Sequence, residues 1–168
     1  GFEQCFDCSG SGTSVTCSLK AKFVTPYECK GYRLPTESEW EYAARAGTST
    51  PFYNGDYTTE NIKEIAWYSG NSSNKTHPVG QKLPNAWGLY DMSGNVYEWT
   101  FDWYDSEYPT GTVENPSVNP VTLVKKTKGV VRGGSWKFFK ECRNAFRGAY
   151  YSQTSSWLDW GFRVVRTK

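Results

Sequence analysis

The chain holds one histidine, His77, and one methionine, Met92, in 168 residues. A lone histidine excludes iron centres built on two or more imidazoles. It also leaves a Ser-His-Asp triad without support: His77 precedes Pro78 in a loop, and no G-x-S-x-G turn exposes a serine. His77 is therefore expected to be structural or superficial. No apolar run approaches membrane-spanning length, so no membrane insertion is expected. Neither sign of charge dominates, since 19 Lys and Arg against 17 Asp and Glu leave a net +2. Dispersed charge of that size gives no electrostatic case for nucleic acid. Internal repeats and low-complexity tails are absent, which sets aside solenoids and linkers.

Aromatic residues are plentiful, at 17 % of the chain with 8 Trp and 12 Tyr. With few aliphatics beside them, they must carry much of the core. Those that reach the surface suit recognition, because they offer large contact area at low entropy cost. The length fits one domain, 1–168.

Cysteine is unevenly placed. Cys5, Cys8, Cys17 and Cys29 crowd the start of the chain, and Cys142 stands alone. Zinc needs four ligands at tetrahedral spacing, and this spacing has only one tight pair. The Ser-, Gly- and Thr-rich segment between the cysteines cannot pack a core, so 1–30 reads as a loop region stapled by disulfides. A C-x-x-C bridge is strained, which leaves two pairings open: Cys5–Cys17 with Cys8–Cys29, or Cys5–Cys29 with Cys8–Cys17. Two bridges imply an extracellular, cell-surface or periplasmic location.

One helix announces itself. Thr36-Glu37-Ser38-Glu39 is a capping box ahead of Trp40, Ala43 and Ala44, and Gly47 supplies a stop. The expectation is a helix over 37–46 with Trp40 and Ala44 inward and Glu37, Glu41 and Arg45 on a solvated face. Residues 15–19 are expected to pair with 23–27, and 65–68 to form a short strand. Strands are also expected over 98–104, with Trp99 and Trp103 inward, over 129–133, and over 161–166. Residues 107–120 and 152–156 read as polar loops or turns. Asp102, Asp105 and Glu107 lie among aromatics, but a sugar-cleaving acid pair is set aside because Asp102 belongs to a buried strand.

The stretch Trp87-Gly88-Leu89-Tyr90-Asp91-Met92-Ser93-Gly94-Asn95-Val96-Tyr97-Glu98-Trp99 mixes carboxylates with turn residues on an aromatic base. Such a segment can converge oxygens on one point, as calcium requires. A structural calcium ion is expected, held by the carboxylates of Asp91 and Glu98 and the carbonyls of Gly94 and Val96. Asn95 is expected to orient the turn.

Three further motifs frame this stretch. They are Gly31-Tyr32-Arg33-Leu34-Pro35-Thr36-Glu37-Ser38-Glu39-Trp40, Arg132-Gly133-Gly134-Ser135-Trp136, and Gly161-Phe162-Arg163-Val164-Val165. In this order the four resemble the formylglycine-generating-enzyme/sulfatase-modifying-factor family, over about residues 5–166. The resemblance implies an α+β fold, the family's C-type-lectin-like variant, loop-rich with a small twisted antiparallel sheet and few helices. The family's domain carries a further segment ahead of the cysteine-rich loop. Its absence implies a shortened form of the fold or another chain that supplies that part.

The family's oxidases bind copper(I) through two cysteines after their Gly-Gly-Ser motif, as soft sulfur ligands do. Here the first of those positions is Phe138, and only Cys142 remains. No copper is expected, and Cys142 reads as a small buried hydrophobe. The alternative function is an oxidoreductase of the formylglycine-generating type acting on a cysteine in a protein substrate, or a degenerate relative.

The segment 137–160 has the composition of a binding face. In the family's variable proteins of diversity-generating retroelements, this is the stretch that is diversified and displayed. Phe138, Phe139, Tyr150, Tyr151, Trp157, Asp159 and Trp160 are the candidate ligand-binding residues, with Phe146 and Phe162 expected in the core. The leading function is a non-catalytic interaction domain for a protein or other surface ligand.

Overall fold

The computed structural model describes residues 1–11, 15–107, 118–151 and 157–167. The loop expected over 107–120 and the turn at 152–156 fall largely or wholly outside the described residues. Strands β1 (Phe6–Ser9) and β2 (Thr16–Leu19) form an antiparallel hairpin. β3 (Tyr32–Arg33) leads into helix α1 (Glu37–Arg45), and helix α2 (Thr59–Ile65) follows. After a long irregular stretch come β4 (Tyr97–Trp103), β5 (Lys128–Arg132), β6 (Gly148–Tyr151), β7 (Trp160–Phe162) and β8 (Val165–Arg166). The main sheet has the order β6-β5-β4-β7. Its pairs are antiparallel except β4–β7, which is parallel, so the sheet is mixed and not purely antiparallel. β8 leaves this sheet and pairs with β3. The result is α+β and loop-rich, with few helices, as the sequence implies.

Both disulfides form, and they resolve the open pairing as Cys5–Cys29 with Cys8–Cys17. Cys8 lies directly opposite Cys17 across the hairpin. Cys142 is free and buried. β2 therefore pairs with β1 and not with 23–27, where Pro26–Glu28 winds into a 3-10 turn.

Helix α1 starts as its capping box dictates. The Thr36 hydroxyl accepts from the Glu39 N–H at 3.2 Å, and the Glu39 carboxylate accepts from the Thr36 N–H at 2.8 Å. The helix ends at Ala46, which takes the left-handed conformation just before Gly47. Trp40 and Ala44 join Phe52, Ile62, Ile65 and Met92 in the core.

Two expectations about burial are corrected first. Glu37 is 1 % exposed, not solvated. Arg147 grips its carboxylate at 2.5 and 2.8 Å, and the fully buried Arg132 lies 3.5 Å from it while also pairing with Glu41. β5 and the chain before β6 cross this face of α1, which helical periodicity alone does not reveal. In β4 the phase is inverted: Tyr97, Glu98, Thr100 and Asp102 are buried while Trp99 and Trp103 are half-buried. The inward polar groups are satisfied there. Asp102 accepts from the N–H groups of Glu37 at 2.6 Å and Thr122 at 2.9 Å, and Thr100 donates to the Val130 carbonyl at 3.2 Å.

The strand expected over 65–68 is also replaced. Residues 59–65 are helical, started by Thr58, whose hydroxyl accepts from the Asn61 N–H, and anchored by buried Ile62 and Ile65. Trp67 makes only an isolated bridge, to Gly94. The C-terminal strand is split at Arg163 into β7 and β8, because that arginine turns in to reach Glu98. Phe162, expected in the core, is 69 % exposed.

Candidate ligand-binding site

The main sheet and the segment after Gly133-Gly134 border an open cavity of about 340 Å³, lined by Tyr97, Lys137, Phe138, Tyr150, Trp157, Asp159 and Trp160. β4 contributes Tyr97, β6 Tyr150 and β7 Trp160, so three strands set the rings in one wall. Gly134 makes the approach possible. It has φ 71°, and a Cβ there would lie 2.6 Å from the Glu141 backbone, so the chain folds back on itself at this residue.

The rings run continuously around the wall. Phe138 lies 6.0 Å from Tyr97, Tyr97 5.6 Å from Tyr150, Tyr150 5.1 Å from Trp160, and Trp160 6.1 Å from Trp157. Trp99 braces the back of Trp160 edge-on at 4.9 Å. Five of the seven candidates from the sequence, namely Phe138, Tyr150, Trp157, Asp159 and Trp160, thus meet at one concavity. Phe139 does not: it turns to the core and packs 4.7 Å from Tyr57 and 5.6 Å from Tyr68. The side chain of Tyr151 lies outside the described residues. Tyr97 and Lys137 were missed. Tyr97 belongs to the central motif and reads there as scaffold, while Lys137 sits inside the candidate segment but carries no aromatic signal.

Asp159 is buried, with one oxygen accepting from the Ser135 hydroxyl at 3.0 Å and the other 3.1 Å from the Lys137 ammonium. Burial raises the Glu141 carboxyl above the ordinary carboxylate range, and the charge of Asp159 adds to the rise. Burial likewise raises the Tyr150 hydroxyl, helped by the negative charges of Glu141 and Asp159.

The central turn is built as its glycine demands. Gly94 has φ 72°, and a Cβ there would come within 2.3 Å of the Trp67 carbonyl. Asn95 ties the turn to the preceding loop: its side chain accepts from the His77 N–H at 3.0 Å and donates to the His77 carbonyl at 3.1 Å. His77 itself stacks on Trp67 at 3.8 Å, a structural position. Asp91 is buried at φ 54°; one oxygen accepts from the Gly80 N–H at 2.7 Å, and the other has no hydrogen-bond partner among the described residues. Glu98 accepts from the Trp40 indole at 2.6 Å and from Arg163 at 2.5 and 2.6 Å. The same guanidinium reaches the Tyr90 carbonyl at 3.2 Å. Val96 is half-buried beside Gly161.

Cys142 is fully buried, and its thiol donates to the Phe138 carbonyl at 3.2 Å. Burial pushes this thiol far up, with the Glu141 charge adding to the effect.

Residues 9–168 match the sulfatase-modifying factor enzyme 1-like domain. The solved structure of variable protein 1 from Treponema denticola superposes with a TM-score of 0.74 at 33 % identity, over 90 % of this chain and 51 % of that one. Chaperone protein LppX of Paenibacillus barcinonensis is 35 % identical over 82 % of this chain and 50 % of its own length. The formylglycine-generating enzyme of Streptomyces coelicolor is 37 % identical over 80 % of this chain and 46 % of its own length. The chain thus spans about half the length of these relatives.

Proposed function

This chain belongs to the formylglycine-generating-enzyme/sulfatase-modifying-factor family, in its C-type-lectin-like form, and from that premise we propose that it is a non-catalytic ligand-binding domain. The observation that carries the reading is the aromatic wall of the cavity. Phe138, at the position where the family's oxidases place a copper-binding cysteine, lines that wall. Its partner in such a site would be Cys142, whose buried thiol bonds to the Phe138 carbonyl. What is reactive sulfur in an oxidase is here apolar contact surface. Likeness to a variable protein supports the same reading, with the segment 137–160 as the displayed face. The ligand is a protein or another surface ligand.

A structural calcium ion is part of the proposal. Asp91 supplies the carboxylate oxygen that lacks a partner among the described residues. The carbonyls of Gly94 and Val96 supply neutral oxygens. Glu98, with three of its roughly four lone-pair sites already engaged, contributes the remainder. The ion would stiffen the turn beneath Tyr97.

The test sets aromatic variants beside a cysteine variant. In an NMR screen of small aromatic and aliphatic fragments, shifts should converge on the indoles of Trp157 and Trp160. They should be lost in Trp157→Ala and Trp160→Ala, which truncate anchors typically worth about 2 kcal/mol or more, and kept in Cys142→Ala. Copper-dependent turnover of a cysteine-containing peptide that disappears only with Cys142→Ala would overturn the reading.

A further inference from the structure

The walls of the cavity restrict what it accepts. Phe138, Tyr97, Tyr150, Trp160 and Trp157 present π faces to one space. Among the described residues the lining holds one carboxylate, that of Asp159, and one ammonium, that of Lys137. The chain already pairs one cation with the carboxylate of the lining: the Lys137 ammonium sits 3.1 Å from Asp159, and 4.8 Å from the centroid of Trp136, a ring outside the lining.

Resting on the ligand-binding reading above, we propose that the cavity takes a cationic side chain from a protein partner, lysyl or N-methylated lysyl, with Lys137 displaced from Asp159 as it enters. The electron-rich faces of Trp, Tyr and Phe attract an ammonium, and more strongly where water is excluded. Asp159 supplies a full negative charge that is already desolvated and oriented by Ser135. An anionic group that displaced Lys137 would meet Asp159 instead. A neutral apolar group would gain the rings but not the carboxylate. A volume of about 340 Å³ lies at the small end of ligand pockets and suits one side chain. Lys137 is 35 % exposed and has a flexible stem, so it can swing out without disturbing the strands.

The probes are choline, a small quaternary alkylammonium, and its neutral isostere with carbon in place of nitrogen. Binding is read from the Trp157 and Trp160 indole resonances. Choline should bind about tenfold more tightly than the isostere, the order expected for a cation inside a partly desolvated aromatic wall. Lys137→Ala should strengthen choline binding several-fold, because it removes the internal competitor. Phe138→Leu keeps apolar area and should shrink the preference for choline over the isostere. A trimethyl-lysine peptide should bind at least as well as choline; a peptide weaker than choline would overturn the protein-side-chain assignment. Equal or tighter binding of the isostere, or loss of choline binding in Lys137→Ala, would overturn the cation inference and leave the ligand-binding reading standing. Silence of both probes in a protein whose indoles respond to fragments would overturn it as well. Silence of fragments and probes together would overturn both.

Discussion

Asp102 carries a charge where the sequence suggests only a strand residue. Burial pushes its carboxyl up to about 6 from an ordinary 3.8, against the N–H groups of Thr122 and Glu37, which favour the ionised form. The folded state therefore holds a proton that the unfolded chain has released between those values. Stability from this group is greatest below about pH 4 and falls as pH rises through about 6, the reverse of a salt-bridged aspartate. Carboxyl NMR should find the Asp102 midpoint near 6. The denaturation midpoint of the native chain should decline from pH 4 to 6 relative to Asp102→Asn, which cannot titrate. Glu37 has the opposite kind of consequence. It neutralises Arg147 and lies beside Arg132, which is 0 % exposed. Glu37→Ala would strand buried positive charge, and chemical denaturation should show a loss of about 3–5 kcal/mol. Neither role was legible in the sequence. Glu37 and Asp102 look like ordinary surface or strand carboxylates until Arg132 of β5, Arg147 just before β6 and the backbone at Thr122 come against them. The aromatic candidates were legible because their residue types suit recognition in any arrangement; the division of labour between Phe138 and Phe139 was not, since it depends on one turn.

The elements differ in how much their own residues specify them. α1 was readable because its capping box and its inward Trp40 and Ala44 are local signals. α2 was not: Thr58-Thr59-Glu60-Asn61 is a weak start, and its seven residues are held by burial of Ile62 and Ile65 against the core. The hairpin β1–β2 depends even more on a constraint outside its pattern. Its largely exposed strands bury little, so the cross-strand Cys8–Cys17 bond holds them together. Replacing both cysteines with alanine should cost about 2–4 kcal/mol, towards the lower end because the loop spans only nine residues. Thermal melting of the double variant beside the native chain measures this. The central turn offers a similar test. If calcium is held by Asp91 with the carbonyls of Gly94 and Val96, a calcium chelator should lower the melting temperature, and added calcium should restore it. Asp91→Ala should melt at the same temperature with and without chelator.

At the scale of the whole molecule, the order of the four motifs was enough to imply the fold, because each motif fixes one junction: the start of α1, the turn into β4, the bend after β5, and the split between β7 and β8. Their relative arrangement, including the parallel alignment of β7 with β4, is a property of the assembled sheet that no local pattern encodes. Two disulfides near one end fit an oxidising environment, and among the described residues no helix is long and apolar enough to cross a membrane. The pairing of Tyr32–Arg33 with Val165–Arg166 has a consequence in time. During synthesis, the Cys8–Cys17 hairpin can close as soon as its own residues emerge. Strand β3 must wait for more than a hundred further residues before its partner exists. Tyr97, too, meets Trp160 only when that late segment arrives beside β4. Loop closure over such distances is slow, and exposed aromatic surface persists until it happens. The aromatic wall of the cavity is thus assembled late, because Trp157 and Trp160 join Tyr97 only after most of the sheet has been made, and the rings stay exposed to aggregation in the interval.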